Sequence, residues 1–155
     1  GGFQMLGERI EDPQGLESGP GSSQGLGWLA MSTELIAGKQ LANTSGKLLA
    51  SGSPVQGYEI HNGITRGEAL SRPMLMLGDR YDGAMSEDGL VMGCYLHGLF
   101  DVADSGNAIL AWAGLHDNRG VDYAAHREQQ LDRLADMVES HMDMTILQET
   151  ISRAD

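Results

Sequence analysis

Gly1-Gly2-Phe3-Gln4-Met5-Leu6-Gly7 opens the chain, and the reading of this stretch decides the fold. Two glycines ahead of Phe-Gln-Met-Leu-Gly have the form of the downstream half of a strand-to-helix elbow. In such an elbow a nucleophile stands on a sharp turn, and the glycines beside it accept backbone angles that other residues resist. The nucleophile would be the residue just before Gly1. Neither an initiator Met nor a strand precedes Gly1, so the chain is expected to begin inside the motif.

Working outward, Phe3, Met5, Leu6 and Ile10 suit a short helix over residues 2–11. Residues 12–27 are rich in Gly, Ser, Pro and Gln and predict a loop. Trp28 to Ile36 leads into a strand. Residues 39–50 alternate loosely and predict a strand with a turn at Gly46. Val55 to Thr65 carries the period of two expected of a half-buried strand. Met74 to Leu77 reads as a short buried strand, Tyr81 to Asp88 as a polar loop and Gly89 to Leu96 as a strand. Beyond Asp101 the spacing of Ile109, Leu110, Trp112 and Ala113 becomes helical, with Asp104 or Ser105 as N-cap. A last helix begins at an Asp122 N-cap, with Ala124, Leu131, Leu134, Val138 and Met142 at helical spacings. Strands alternating with helices predict an α/β fold with a partly parallel sheet.

The composition bounds what such a chain does. At 155 residues it is one domain or part of one, and 41% hydrophobic against 21% charged residues is a globular balance. A net charge of −12 repels phosphate backbones and anionic bilayers, so neither nucleic acid nor membrane is an expected partner. No apolar run approaches the roughly 20 residues of a membrane helix. The single Cys94 allows no internal disulfide and fits a reducing cytoplasm. No Cys/His cluster has zinc spacing, and the acidic residues at 79, 82, 87 and 88 lack calcium-loop spacing and read as a solvated loop.

Two further stretches bear on chemistry. In Gly93-Cys94-Tyr95-Leu96-His97-Gly98-Leu99-Phe100-Asp101, a His at a strand end followed by Gly suits a general base that takes a thiol proton and returns it to a leaving amine. A His that only caps the strand end has the same signature. In Gly57-Tyr58-Glu59-Ile60-His61-Asn62-Gly63-Ile64-Thr65, alternation sets Glu59 and His61 on one strand face and Tyr58, Ile60 and Asn62 on the other. Glu59 and His61 are either a polar pair wanting a partner or a solvated face. Cys94 and His97 stand an odd number of strand positions apart, so Cys94 reads as a buried small residue and not as a nucleophile. Tyr58, Tyr95, Phe100, Trp28 and Trp112 read mainly as core.

Taken together and in this order, the three stretches resemble the glutaminase domain of cobyric acid synthases. The Arg127-Glu128 and Leu131-Asp132-Arg133-Leu134-Ala135-Asp136 wording resembles that family's closing helix, and cobyrinic acid a,c-diamide synthase shares the domain type. The resemblance implies a three-layer, flavodoxin-like glutamine amidotransferase fold, incomplete at its N-terminus, with residues 1–155 its C-terminal portion. It implies that a Cys before Gly1 attacks the glutamine amide, that His97 is the catalytic base and that Gly1 supplies an oxyanion-hole amide. It assigns Gln4, and with it Glu59 and His61, to glutamine binding. ATP and Mg²⁺ would act on the corrin carboxylate in another domain, leaving this chain without a cofactor or metal of its own. In the wider class of triad amidotransferases a Glu follows the catalytic His by two residues. Here that residue is Leu99, as in the cobyric acid family, and Glu59 is the alternative orienter. The chain alone is expected to lack glutaminase activity. A non-catalytic binding domain and a thiol hydrolase using Cys94 are the competing readings.

Overall fold

A computed structural model describes residues 1–17, 19–38, 40–116, 122–146 and 152. The chain divides into two compact units, Gly1–Gly120 and Val121–Asp155.

In the first unit, α1 (Gly2–Met5) leads directly into β1 (Arg9–Asp12). The expected 2–11 helix therefore stops after one turn, and Ile10 lies on a strand. The Asp12 carboxylate accepts the backbone N–H groups of Leu16 (2.8 Å) and Glu17 (3.0 Å), which closes the loop that turns the chain back. It returns as β2 (Gly21–Gln24), a strand inside the 12–27 segment expected to be a loop. β3 (Ser32–Glu34) follows, then β4 (Gln40–Leu48), β5 (Pro54–His61) and β6 (Ile64–Arg66). Lys39, first residue of the segment expected as a strand, lies outside the described residues. β4 runs straight through Gly46, with no turn there. It is held extended from both sides, because Gly46 pairs with Val55 of β5 and with Leu77 of the next strand.

After a 3₁₀ turn at Glu68–Ser71 come β7 (Leu75–Leu77), β8 (Arg80–Asp82), β9 (Ala84–Met85), β10 (Met92–Gly93) and β11 (Leu96–His97). The Tyr81–Asp88 stretch is thus partly strand, and the expected Gly89–Leu96 strand is broken into two short pieces. α2 (Ala103–Trp112) closes the unit with Val102 as its N-cap, in place of Asp104 or Ser105. Ser105 is buried and donates to the carbonyls of Leu99 (2.8 Å) and Val102 (2.9 Å). Its hydroxyl fastens the turn after β11 to the helix and is unavailable as a cap.

The strands form a four-stranded sheet in the order β2-β1-β3-β6, a five-stranded sheet in the order β11-β5-β4-β7-β8, and the β10-β9 pair. Among the described residues only β1 and β3 run parallel; the other pairings are antiparallel. The strands follow one another through tight connections, so few helices intervene and the expected alternation of strand and helix is not seen. The mixed α/β architecture of sheets and helices is consistent with a flavodoxin-like glutamine amidotransferase domain.

Two cores stabilise the unit. Leu48, Val55, Leu75, Leu77 and Leu96 bury one face of the five-stranded sheet with Met74 and with Ile109 of α2. Phe3, Leu29, Met31, Ala69 and Ala84 form the second, with Leu6, Leu70, Val91 and Tyr95 packed around it. In the second unit, α3 (Tyr123–His141) starts at Asp122, whose carboxylate accepts the Ala125 N–H at 3.0 Å, as its sequence predicts.

Candidate active site

The residues of the opening motif are fastened first. Gly1 is the N-cap of α1, and the helix buries Phe3 and Gln4. The Gln4 carboxamide spends both its N–H groups inside the protein. Nε2 donates to the Asn62 carbonyl (3.1 Å) and to the Tyr95 hydroxyl (3.3 Å). The Tyr95 hydroxyl lies 2.6 Å from Thr65 Oγ1, which lies 2.7 Å from Thr33 Oγ1. Tyr95 accepts from Gln4, and the hydroxyl chain of Tyr95, Thr65 and Thr33, in which either member of each pair can donate, links α1 to β3. The Tyr95 ring is stacked on His61 (centroids 3.8 Å apart, 21°) and meets Phe3 edge-on (5.0 Å, 88°). Tyr95 therefore joins the opening motif, the 57–65 stretch and the 93–101 stretch at one point.

His97 is placed by its backbone. Leu96, its neighbour, is buried in the first core, which turns the His97 side chain to the opposite, open face of the sheet. In the β11–β5 register, Leu96 pairs with Glu59 and His97 with Tyr58. The two strands approach so closely that a β-carbon on Gly57 would overlap the His97 carbonyl oxygen. The next residue, Gly98, has φ of 89°, a left-handed conformation that a larger residue resists. The imidazole is exposed and stacked on the Tyr58 ring, with centroids 5.0 Å apart and planes within 7°.

The register separates Glu59 from His97. Directly paired residues share a sheet face, so Glu59 points to the side away from the imidazole, and it does not orient His97. Its carboxylate is buried and paired with the Arg80 guanidinium. Glu59 and His61 are thus not a solvated face. Both line a cleft of about 640 Å³ together with Arg80, Tyr81, Asp82 and Tyr95. His61 Nδ1, and Asn62 Oδ1 on the next residue, are buried without hydrogen-bond partners among the described residues.

The acidic segment is likewise not uniformly solvated. Asp82 is buried and accepts the backbone N–H groups of Tyr95 (3.2 Å) and Leu96 (3.3 Å). Burial pushes its carboxyl above the usual value and the nearby Glu59 charge adds to this, while the backbone hydrogen bonds pull it down. Asp88, by contrast, is exposed and held below the usual value by hydrogen bonds from Ser86 Oγ and the Leu90 N–H. Cys94 packs against the first core and its Sγ lies 3.5 Å from the Leu96 carbonyl. Burial, with the Asp82 charge beside it, raises the thiol to about 12. A thiol held so far from ionisation is no nucleophile near neutral pH.

The family model of the CobB/CobQ-like glutamine amidotransferase domain matches residues 1–105. The chain belongs to that family. The match takes in all three motif stretches and ends early in α2, so α3 and its wording lie beyond it.

Sequence reasoning missed Tyr58, Arg80, Asp82 and Tyr95. Tyr58 is 43% exposed and Trp28, Phe100 and Trp112 are similarly open, against the expectation that most of these aromatic residues are core. The Trp112 indole instead donates to the Gly89 carbonyl at 2.9 Å. Arg80 and Asp82 carry no sequence signal, because their partners lie 21 and 13–14 residues away. Among the described residues no group of three or more His, Cys, Asp or Glu is arranged to hold a metal ion, and no helix is long and apolar enough to cross a membrane.

Proposed function

We propose that this chain belongs to the ammonia-generating part of a cobyric acid synthase, which uses glutamine and ATP to amidate the side-chain carboxylates of a corrin in cobalamin biosynthesis. The observation that carries the proposal is the meeting of α1, the Gly57–Thr65 stretch and the Tyr95–Asp101 stretch at the Tyr95 hydroxyl. The Gly-Tyr-Glu-Ile-His and Leu-His-Gly-Leu-Phe-Asp wording supports the cobyric acid branch over its relatives. ATP and Mg²⁺ are assigned to a domain that binds the corrin.

In this proposal a Cys thiolate at the position before Gly1 attacks the side-chain amide carbon of glutamine. The carbonyl electron pair moves to oxygen, where the Gly1 N–H stabilises it as a peptide amide. His97 protonates the amide nitrogen, the C–N bond breaks, and ammonia leaves behind a thioester. His97 then takes a proton from water, which adds to the thioester; glutamate leaves and the thiolate returns. Gln4 and His61, which meet at Tyr95 on the side of β5 away from His97, hold the elbow helix to the sheet. Glu59, held by Arg80 on the face away from His97, anchors β5.

The test uses the protein extended ahead of Gly1 by the Cys-bearing segment and by the ATP- and corrin-binding domain of the proposal. Glutamate release is measured with and without a corrin polycarboxylate and MgATP, and amidated corrin by mass spectrometry. His97→Ala is expected to lower glutamate release by about 10²–10⁴-fold. Unchanged release in that variant would refute the assignment of His97. Amidation confined to the a and c carboxylates would move the protein to the a,c-diamide branch, and glutamine hydrolysis with no amidated corrin would remove the corrin from the proposal. For the 155-residue chain by itself, the burial of Cys94, its only thiol, favours a second reading: it binds without hydrolysing.

A further inference from the structure

We propose that Tyr58 is the positioning residue for His97, its ring taking the task that a carboxylate performs in triad enzymes; this rests on the reading of His97 as the acid/base group. An acid/base imidazole must be held in orientation to be useful, and a carboxylate on its second nitrogen is the familiar way. That device is missing here. The residue two places after His97 is Leu99. Glu59 lies on the opposite sheet face with its charge taken up by Arg80. Among the described residues no group hydrogen-bonds the His97 ring.

What the ring has is a slab. Tyr58 stands directly across from His97 in the β5–β11 register, and the two rings lie 5.0 Å apart and within 7° of parallel. Tyr58 belongs to neither core and is 43% exposed, so burial does not explain an aromatic residue there. Both backbones beneath the stack are fixed: Leu96 is rooted in the first core, and Gly57 permits the close approach of β11.

Stacking and a carboxylate constrain an imidazole differently. A carboxylate fixes the ring plane and also the tautomer. An aryl face blocks rotations that carry the ring out of plane and leaves both ring nitrogens open at the edge. The working nitrogen is then chosen by the substrate or the thiol, which suits a group that must accept a proton and give it back. An aromatic pair of this kind contributes the equivalent of about a two- to tenfold change in rate when only one state of the ring is productive.

The experiment has two arms. In the first, the His97 ring C–H resonances of the 155-residue chain are assigned against His97→Ala and followed by NMR in Tyr58→Phe and Tyr58→Leu, with amide spectra checking that β5 and β11 stay paired. In the second, kcat and KM for glutamine are measured for the same variants in the protein carrying a Cys-bearing segment ahead of Gly1. The expected result is an upfield ring-current shift of His97 that Tyr58→Phe keeps and Tyr58→Leu loses. With it, kcat falls about two- to tenfold in Tyr58→Leu only, at unchanged KM. A lost ring-current shift with unchanged kcat would overturn the positioning role and leave the glutaminase reading standing. Absence of the shift in the unsubstituted chain would overturn the stack itself. Glutamine hydrolysis that His97→Ala does not affect would overturn the reading of His97 and the role of Tyr58 with it.

Discussion

Tyr95→Phe isolates the hydroxyl at which the three motifs meet. The substitution keeps the ring, and with it the stack on His61 at 3.8 Å and the edge contact with Phe3 at 5.0 Å. It removes the bond from Gln4 Nε2 at 3.3 Å and the bond to Thr65 Oγ1 at 2.6 Å. Neither partner is stranded completely, since Gln4 retains the Asn62 carbonyl and Thr65 retains Thr33. Each lost bond therefore costs its net value and not the full price of an orphaned group, about 0.5–1.5 kcal/mol apiece and about 1–3 kcal/mol together. Trp28 and Trp112 both lie in the Gly1–Gly120 unit, so tryptophan fluorescence reports its unfolding. With a urea slope of about 2 kcal/mol per M, the midpoint should fall by about 0.5–1.5 M. A double-mutant cycle with Gln4→Met separates the network from the ring. The two substitutions together should cost less than their sum, because both remove the same bond. A Tyr95→Phe midpoint within about 0.2 M of the unsubstituted chain, or strict additivity with Gln4→Met, would refute the claim that this hydroxyl ties the elbow to the sheet.

Three further outcomes are expected. Because folding raises the Asp82 carboxyl above its ordinary value, the folded chain holds the extra proton, and the Asp82 contribution to stability declines as pH rises through the folded value. Urea midpoints should therefore favour Asp82→Asn progressively over the unsubstituted chain as pH rises above about 4, and the opposite trend would show that the hydrogen bonds to the carboxylate outweigh its burial. With its thiol near 12 against an ordinary 9.0, Cys94 should react with iodoacetamide about 10³-fold more slowly in the folded chain than in urea; fast folded-state labelling that depends on His97 would revive Cys94 as a nucleophile. Gly57→Ala should cost about 1–3 kcal/mol by overpacking the β5–β11 contact and should shift the His97 resonances, and a substituted chain with native stability and unmoved resonances would contradict the described approach of the two strands.

What the sequence determined by itself is what depends on local rules. Alternation alone split the 57–65 stretch correctly, with Tyr58 on one face and Glu59 and His61 on the other, because a strand has a period of two wherever it lies. The Asp122 cap of α3 was legible because a capping carboxylate reaches an amide three residues on. The short helix of the opening motif and the buried Leu75–Leu77 strand were readable for similar reasons, and the ordered motifs carried the family. What only the tertiary structure decided is which of those faces meet. Which side of β5 the imidazole joins is a matter of register between strands nearly forty residues apart, and the register that buries Leu96 sends His97 to Tyr58 and away from Glu59. The pairing of Glu59 with Arg80, the burial of Asp82 in a segment that reads as a polar loop, and the role of Tyr95 as a common anchor follow from the same pairings. A single sequence carries no local signal for these, because a shift of one residue in the register would exchange every partner while leaving the pattern along each strand unchanged.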